Sequence, residues 1–145
     1  MKYPTVAHMF NQVTLEHASR ELYFYKNKGN WEGIPGSKIR STVKDLAFAL
    51  QSLEIGKGNN VALLSNNSPL WAMADYGIVC SGGATVSVYP TLISSQVEYI
   101  LNDSVSKVVM VENQEQFGKI NEIWKNCPKL DYVIVLDNSD ESDDA

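Results

Sequence analysis

Four short, mostly apolar runs in the second half of the sequence most constrain how this chain can fold. A strand with one face in water alternates apolar and polar residues, whereas a strand covered on both faces is apolar almost throughout. Such runs predict a parallel sheet with helices on both of its faces. The runs are Val61–Leu64, Ala84–Val88, Val108–Val111 and Tyr132–Leu136.

Helix signals lie between these runs. Ser68 followed by Pro69 is typical of an N-cap and a first helical residue, and Ser95-Gln96-Val97-Glu98 fits a capping box. Asn113 precedes a further apolar stripe, which Pro128 ends. The order βαβαβαβ follows, with right-handed crossovers.

The first part of the chain predicts a helix, a hairpin and a second helix. Thr5 is suited to cap a first helix that ends near Arg20, and residues 22–34 alternate around turn residues Asn27–Asn30. The next apolar positions repeat at spacings of 4, 3, 4 and 3, which predicts a helix of about 17 residues closed by Gly56 as its C-terminal cap. These positions are Ile39, Val43, Leu46, Leu50 and Leu53.

The predicted fold is therefore of the α/β class, a parallel sheet of about four strands preceded by helix, hairpin and helix. A chain of 145 residues that is 44% hydrophobic fits one domain. We assign residues 1–137 to this domain and 138–145 to an acidic, disordered tail. Five of the 17 carboxylates lie in the last nine residues, and the remaining 12 balance 12 basic residues. Without a basic cluster, nucleic acid is excluded as an expected partner.

The cysteines and the apolar segments indicate a cytoplasmic protein. Cys80 and Cys127 are separated by 46 residues, and a chain of this size needs no disulfide, so both are expected to be reduced. The polar start of the chain lacks the apolar core of a secretion signal. The segment Leu70–Cys80 is too short to cross a bilayer, so any membrane contact is expected to be peripheral.

Several segments invite a ligand-binding interpretation and also have a structural one. Gly56-Lys57-Gly58 and Ser81-Gly82-Gly83 follow a helix and open a strand, which is the reverse of a nucleotide-binding loop and favours caps and turns. Residues 65–68 lie where a ligand loop belongs, yet polar side chains there also cap a helix. Asp75 and Tyr76 fit either a solvent- or neighbour-facing helix surface or an active site.

The sequence predicts no catalytic residue and no metal ligand. His8 and His17 stand nine residues apart, and neither cysteine has a partner at ligand spacing. No serine lies in a G-x-S-x-G turn. The three tryptophans are assigned to core or interface positions rather than to a ligand platform.

Many small matches spread over Val43–Glu112 point to a known family. They are Val43, Leu46, Ala47, Leu50, Leu53, Ile55, Lys57, Gly58, Val61, Ala62, Asn67, Pro69, Trp71, Gly82–Ala84, Ser87–Thr91, Gln96, Val97, Tyr99–Leu101, Asp103, Ser104, Lys107, Val109, Val111 and Glu112. In this pattern the chain resembles the AMP-forming (adenylate-forming) acyl-CoA synthetases. Tyr89-Pro90-Thr91, followed by Ser94 and Val97, is most similar to the long-chain fatty acid CoA ligases.

The resemblance implies a two-step reaction in a larger parent enzyme that uses ATP, Mg²⁺ and CoA. The family's T-S-G-T-T-G-x-P-K-G loop, adenine-binding segment and carboxy-terminal lysine match nothing here and would lie beyond Ala145. Residues 1–137 would then be the amino-terminal portion of the adenylation region, inactive alone and without a cofactor of its own. Its partners would be the rest of that region and, in the parent, fatty acid and CoA.

The resemblance also implies one piece of ligand surface. In related acetyl-type ligases the loop after the second strand of this region borders the CoA channel, and the matching residues are Pro90 and Thr91. The alternative is an ordinary strand-to-helix turn in which proline limits the backbone.

Two other classes of protein stay open from the residues alone. One is a stand-alone, flavodoxin-like module that binds a small ligand at the carboxyl ends of its strands. The other is a scaffold domain without a ligand. If the chain is part of a ligase, we expect an exposed apolar surface that promotes self-association, contributed by Leu70–Cys80, with Trp71, Met73 and Ile78, and by Phe117–Trp124.

Overall fold

A computed structural model describes residues 3–137, which form two compact units. The first unit comprises Met1–Gly56 and Asn67–Gly82, and the second comprises Lys57–Asn66 and Gly83–Ala145, in each case as far as they are described. The tail predicted to be disordered, residues 138–145, lies outside the described residues.

The first unit contains three helices and a two-stranded hairpin, as the sequence predicts. Helix α1 ends at Glu16, four residues before the expected Arg20. The hairpin turns through Lys28 and Gly29, which both have positive φ, as the tightest connection between antiparallel strands requires. The elements are α1 (Val6–Glu16), β1 (Glu21–Asn27), β2 (Asn30–Pro35), α2 (Gly36–Ser52) and α3 (Pro69–Ser81). Phe10, Ile39, Val43 and Met73 form the core of this unit.

The prediction that Gly56 caps α2 is wrong. The left-handed residue after this helix is Glu54, with φ of 61°. Its N–H donates to the Gln51 carbonyl at 3.0 Å, and the Ile55 N–H donates to the Leu50 carbonyl at 3.0 Å. These are the two bonds of a Schellman cap, which also pairs an apolar residue after the helix with one in its last turn. Ile55 and Leu50, the apolar pair of this cap, are both buried, and the cap is complete before Gly56.

Both ends of α3 match their sequence signals. The Ser68 hydroxyl accepts from the Trp71 N–H at 3.1 Å, and Pro69 is the first helical residue. At the other end Gly82 takes the left-handed conformation, with φ of 95°. Midway along α3, a Cβ on Gly77 would lie 2.6 Å from Leu46 Cδ2, so only glycine allows α2 and α3 to approach so closely.

The second unit is built on a four-stranded sheet whose order is β4-β3-β5-β6. All three neighbouring pairs are parallel, which confirms the α/β class and the parallel sheet expected from the apolar runs. The elements are β3 (Asn60–Leu64), β4 (Ala84–Val88), α4 (Ser94–Asp103), β5 (Ser106–Val111), α5 (Gln114–Ile123), a 3₁₀ turn (Trp124–Asn126) and β6 (Tyr132–Val135).

The core of this unit lies between the sheet and helices α4 and α5. Val97, Leu101, Ile120 and Ile123 pack with alternate residues of β3 and β5. The intervening residues of these two strands are buried as well, so both faces of the sheet are covered at its centre. Those intervening residues are Val61, Leu63, Val108 and Met110.

Helix α4 begins two residues earlier than its predicted capping box. Its N-cap is Ile93, not Ser95, and the Gln96 Oε1 accepts from the Ile93 N–H at 3.3 Å. The glutamine thereby performs the part that the sequence assigned to Glu98. The cap of α5 agrees with the prediction, because the Asn113 Oδ1 accepts from the Gln116 N–H at 3.1 Å. The 3₁₀ turn ends before Pro128, as expected.

The turn between α4 and β5 places a valine in an unfavourable backbone conformation. Val105 has φ of 52°, where the Cβ of an L-residue is crowded at a cost of about 1–2 kcal/mol. Glycine removes the crowding but also gives the unfolded chain more freedom, which lowers the free energy of unfolding by about 0.4–1 kcal/mol. We therefore expect Val105→Gly to raise the free energy of unfolding by about 0.5 kcal/mol, measured by urea denaturation.

Val6→Gly is the matched control for this substitution. Val6 and Val105 are each 53% exposed, but Val6 lies in a helix with ordinary backbone angles. Glycine at this first helical position should lower the free energy of unfolding by up to about 0.5 kcal/mol, because it adds freedom to the unfolded chain and relieves no strain. A loss of stability in both variants would contradict backbone strain at Val105.

Candidate functional site

The carboxyl edge of the parallel sheet is where a fold of this class places its ligand site. In open α/β sheets ligands bind outside the carboxyl ends of the strands, at the point where the strand order reverses. Here β4 lies on one side of β3 and β5 on the other, so the order reverses between β3 and β5. The adjoining loops are Ser65–Asn66 after β3 and Glu112 after β5.

The polar groups at this reversal point bind one another. The Glu112 Oε2 accepts from the Asn66 backbone N–H at 3.0 Å and from the Asn66 Nδ2 at 2.8 Å. The buried Ser65 hydroxyl donates to the Asn66 carbonyl at 2.9 Å. The two bonds from Asn66 tie the loops together, and all three bonds favour the structural interpretation of Ser65 and Asn66 over a ligand loop.

The loop after β4 forms a β-turn. The Leu92 N–H donates to the Tyr89 carbonyl at 3.1 Å, which closes a β-turn with Pro90 and Thr91 at its two central positions. Proline is favoured at the first of these positions because its ring already fixes φ there. Leu92 packs against the apolar core, whereas Tyr89 and Ile93 are exposed. The two residues singled out from the sequence thus form the tip of a well-defined turn.

Pro90 and Thr91 differ in exposure. Pro90 is half-buried, and Thr91 is exposed. The Thr91 side chain therefore presents to solvent a hydroxyl group that both donates and accepts hydrogen bonds. The turn conformation agrees with the structural interpretation, and the exposure of Thr91 leaves room for a ligand role.

A lysine that the sequence did not single out anchors this turn. The Lys119 Nζ donates to the Pro90 carbonyl at 2.5 Å and to the Leu92 carbonyl at 3.1 Å. Lys119 belongs to α5 and is half-buried. A second bond from the same helix reaches the start of α4, where the Ser94 hydroxyl donates to the Glu122 Oε2 at 2.5 Å.

Asp75 and Tyr76, the other candidates weighed in the sequence, lie in the first unit. Both are half-buried, and the Tyr76 ring stacks on Phe10 with centroids 4.4 Å apart. Burial, and then the neighbouring Tyr76 and Asp75, raise the pKa of Tyr23 to about 12. The stacking favours a packing role for Tyr76.

The prediction of an exposed apolar surface agrees with the structure for α5 and the turn after it, but not for most of α3. Phe117 and Trp124 are exposed and line a cavity of about 250 Å³ with Ile120, Asn121 and Val133. In α3 only Leu70 is exposed to a comparable degree. Met73 and Ile78 are buried, so assigning them to a bare surface was wrong. Met73 instead contributes to the core of the first unit.

Residues 3–137 contain neither a cluster of metal ligands nor a membrane-spanning helix. That range holds no group of three or more His, Cys, Asp or Glu side chains placed to bind a metal ion. Within it, no helix combines the length and apolar character needed to cross a membrane. Cys80 and Cys127 are unpaired, and burial raises the pKa of both thiols.

Comparison with known proteins defines the class of this protein. The family described as AMP-binding enzyme matches residues 12–145, and the chain belongs to that family. The long-chain-fatty-acid–CoA ligase ACSBG1 of Rattus norvegicus is 30% identical to it over 131 residues, which are 90% of this chain and 18% of that protein. FadD15 of Mycobacterium bovis, also a long-chain-fatty-acid–CoA ligase, is 27% identical over 111 residues, which are 77% of this chain and 18% of that protein.

Solved structures agree with this assignment. The anthranilate CoA ligase AuaEII, in complex with anthranoyl-AMP, superposes with a TM-score of 0.81 at 25% identity, over 92% of this chain and 25% of that one. The N-terminal domain of FACL13 from Mycobacterium tuberculosis gives 0.81 at 25% identity, over 93% of this chain and 34% of that one. The chain is homologous to part of the long-chain fatty acid CoA ligases and spans about a fifth of the length of these relatives. The resemblance inferred from the sequence is confirmed.

Proposed function

We propose that this chain works as the amino-terminal part of the adenylation region of a long-chain fatty acid CoA ligase. The observation that carries the proposal is the 30% identity to ACSBG1 over 131 residues, within a family match that extends over residues 12–145. Family membership also favours a ligase over a stand-alone flavodoxin-like module or a scaffold without a ligand.

The proposed enzyme joins a fatty acid to CoA in two steps. A carboxylate oxygen of the fatty acid attacks the α-phosphorus of ATP, which expels pyrophosphate and leaves an acyl-adenylate. The thiol of CoA then attacks the acyl carbon, loses its proton and displaces AMP. Mg²⁺ supplies positive charge that stabilises the phosphate groups during the first step.

We assign to this chain a border of the CoA channel, formed by Pro90 and Thr91. The support is the exposed Thr91 at the tip of a turn whose shape is fixed by Pro90 and by the bonds from Lys119. A ligand recognised in such a place meets a rigid edge rather than a mobile loop, so less freedom is lost on binding.

The exposed apolar residues suggest where the rest of the enzyme packs. Phe117 and Trp124 in the second unit and Leu70 in the first are the candidates. The chain by itself should then self-associate through these residues, because a second copy can cover apolar side chains that the rest of the enzyme would otherwise bury. We place the parent in the cytoplasm, with any membrane contact peripheral, since unpaired thiols fit a reducing compartment.

Transcript sequencing tests the proposal directly. Transcripts that encode Met1–Ala145 should continue in frame into a Ser/Thr/Gly-rich loop followed by lysine. The longer product should form AMP and acyl-CoA only when palmitate, ATP and CoA are all present. A frame that stops at Ala145, or a longer product that forms neither AMP nor acyl-CoA, would instead support a stand-alone module.

A further inference from the structure

We propose that Lys119 is a positioning residue, which holds the turn Tyr89–Leu92 in the shape that receives CoA. The anchoring itself rests on the contacts of Lys119, and its connection to CoA rests on the function proposed above. Lys119 lies in α5, contacts the turn and would affect CoA only through the shape of that turn.

The geometry is that of a cation shared by two carbonyl groups. The Lys119 Nζ binds the carbonyl oxygens of Pro90 and Leu92, at 2.5 and 3.1 Å. Thr91 lies between these two residues, so a carbonyl of each chain neighbour is held while Thr91 itself stays exposed. Releasing the ammonium group would free the peptide group before Thr91 and the one after Leu92.

The charge of Lys119 strengthens these bonds. A hydrogen bond from an ionised donor is roughly twice as strong as one between neutral groups. Lys119 is half-buried, so water screens its charge less than that of a fully exposed lysine. An ammonium group has three N–H donors, which is enough for both carbonyls at once.

A second contact makes α5 a common support for the loop. Glu122 follows Lys119 by three residues and so lies on the same face of the helix. Its carboxylate accepts from the Ser94 hydroxyl at 2.5 Å, at the first residue of α4. The turn and the start of α4 are therefore both attached to one face of α5.

Hydrogen exchange in the ¹⁵N-labelled chain tests the anchoring. The reporter is the Leu92 amide, which closes the turn onto the Tyr89 carbonyl. We expect Lys119→Met to speed its exchange at least about tenfold, because each lost bond to a charged donor is worth that factor or more. Lys119→Arg, which keeps the charge and the donors, should stay within about threefold of the original chain.

Lys125→Met is the matched control, because Lys125 is an exposed lysine in the 3₁₀ turn that follows α5. It should leave the exchange of Leu92 unchanged. Folded Lys119→Met protein with unchanged Leu92 exchange would overturn the anchoring. If Lys119→Met does not fold, Lys119→Gln replaces it under the same criterion.

Kinetics of the longer ligase test the connection to CoA. Lys119→Met should raise the KM for CoA at least about fivefold and leave fatty-acid-dependent ATP–pyrophosphate exchange unchanged, because CoA takes no part in that first step. Lys119→Arg should restore the KM. Equal KM values for CoA in all variants would overturn the positioning role. Absence of pyrophosphate exchange in the unsubstituted longer protein would instead count against the proposed function, and Leu92 exchange would still decide the anchoring.

Discussion

Incubated with palmitate, ATP and Mg²⁺, the isolated chain is expected to release no pyrophosphate above the blank. Enzymes of this kind stabilise the departing pyrophosphate with positive charge and hydrogen-bond donors aimed at the phosphates. The corresponding loop, T-S-G-T-T-G-x-P-K-G, matches no segment of the 145 residues. Because electrostatic stabilisation is usually the largest single contribution to such a step, its loss should reduce the rate by many orders of magnitude.

The measurement is a coupled assay of pyrophosphate release with the purified chain. A mock preparation from the same host, without this chain, controls for ligases carried over from the host. The longer product that the proposed function predicts serves as the positive control. Palmitate-dependent release that exceeds the mock preparation and rises in proportion to the amount of pure chain would contradict the prediction, and would require a phosphate site within residues 1–145.

The apolar runs predicted the sheet well because burial on both faces leaves a strong local trace. Val61 and Leu63 face one side of β3, and Ala62 and Leu64 face the other, yet all four are buried. Such a run of consecutive apolar residues can be recognised without knowing what covers it. The parallel direction of the strands then follows from the helices that separate them along the chain.

The errors at the helix ends arose where tertiary packing decided between nearby candidates. Gly56 is the better left-handed residue, yet the cap of α2 forms at Glu54, where the Ile55 N–H binds the Leu50 carbonyl and both residues are buried. Likewise Ser95 fits a capping box, but α4 begins directly after the turn around Pro90, so Ile93 is its N-cap. A single sequence shows which caps are possible, and packing selects among them.

The candidate site was predicted only in part for a similar reason. Pro90 is a local signal for a turn, and the family resemblance directed attention to the same loop. Lys119 gave no signal, because its partners Pro90 and Leu92 are 29 and 27 residues away. Within α5 a lysine looks like an ordinary residue of the solvent face. Contacts of this range become visible only once α5 and the loop are placed in space.

Leu101→Ala should be the most destabilising conservative substitution on α4, and it tests whether this helix packs on the sheet. Leu101 is 2% exposed and lies in a cluster with Val109 and Val111 of β5 and Ile120 of α5. Truncating such a leucine removes apolar contact and leaves a cavity, which typically costs about 2–5 kcal/mol. The urea concentration at the unfolding midpoint should fall in proportion, and the slope of the unfolding free energy against urea concentration should stay unchanged.

Tyr99→Ala on the same helix is the control, because Tyr99 is 69% exposed and its loss should change stability by no more than about 0.5 kcal/mol. The two substitutions share the helix and replace a large side chain with alanine, so helix propensity contributes little to their difference. A difference below about 1 kcal/mol would mean that α4 does not bury Leu101 against β5. A difference of the expected size would establish that the Leu101 face of α4 packs on the sheet. Helix α4 would then be a fixed support for the turn before it, which contains Thr91.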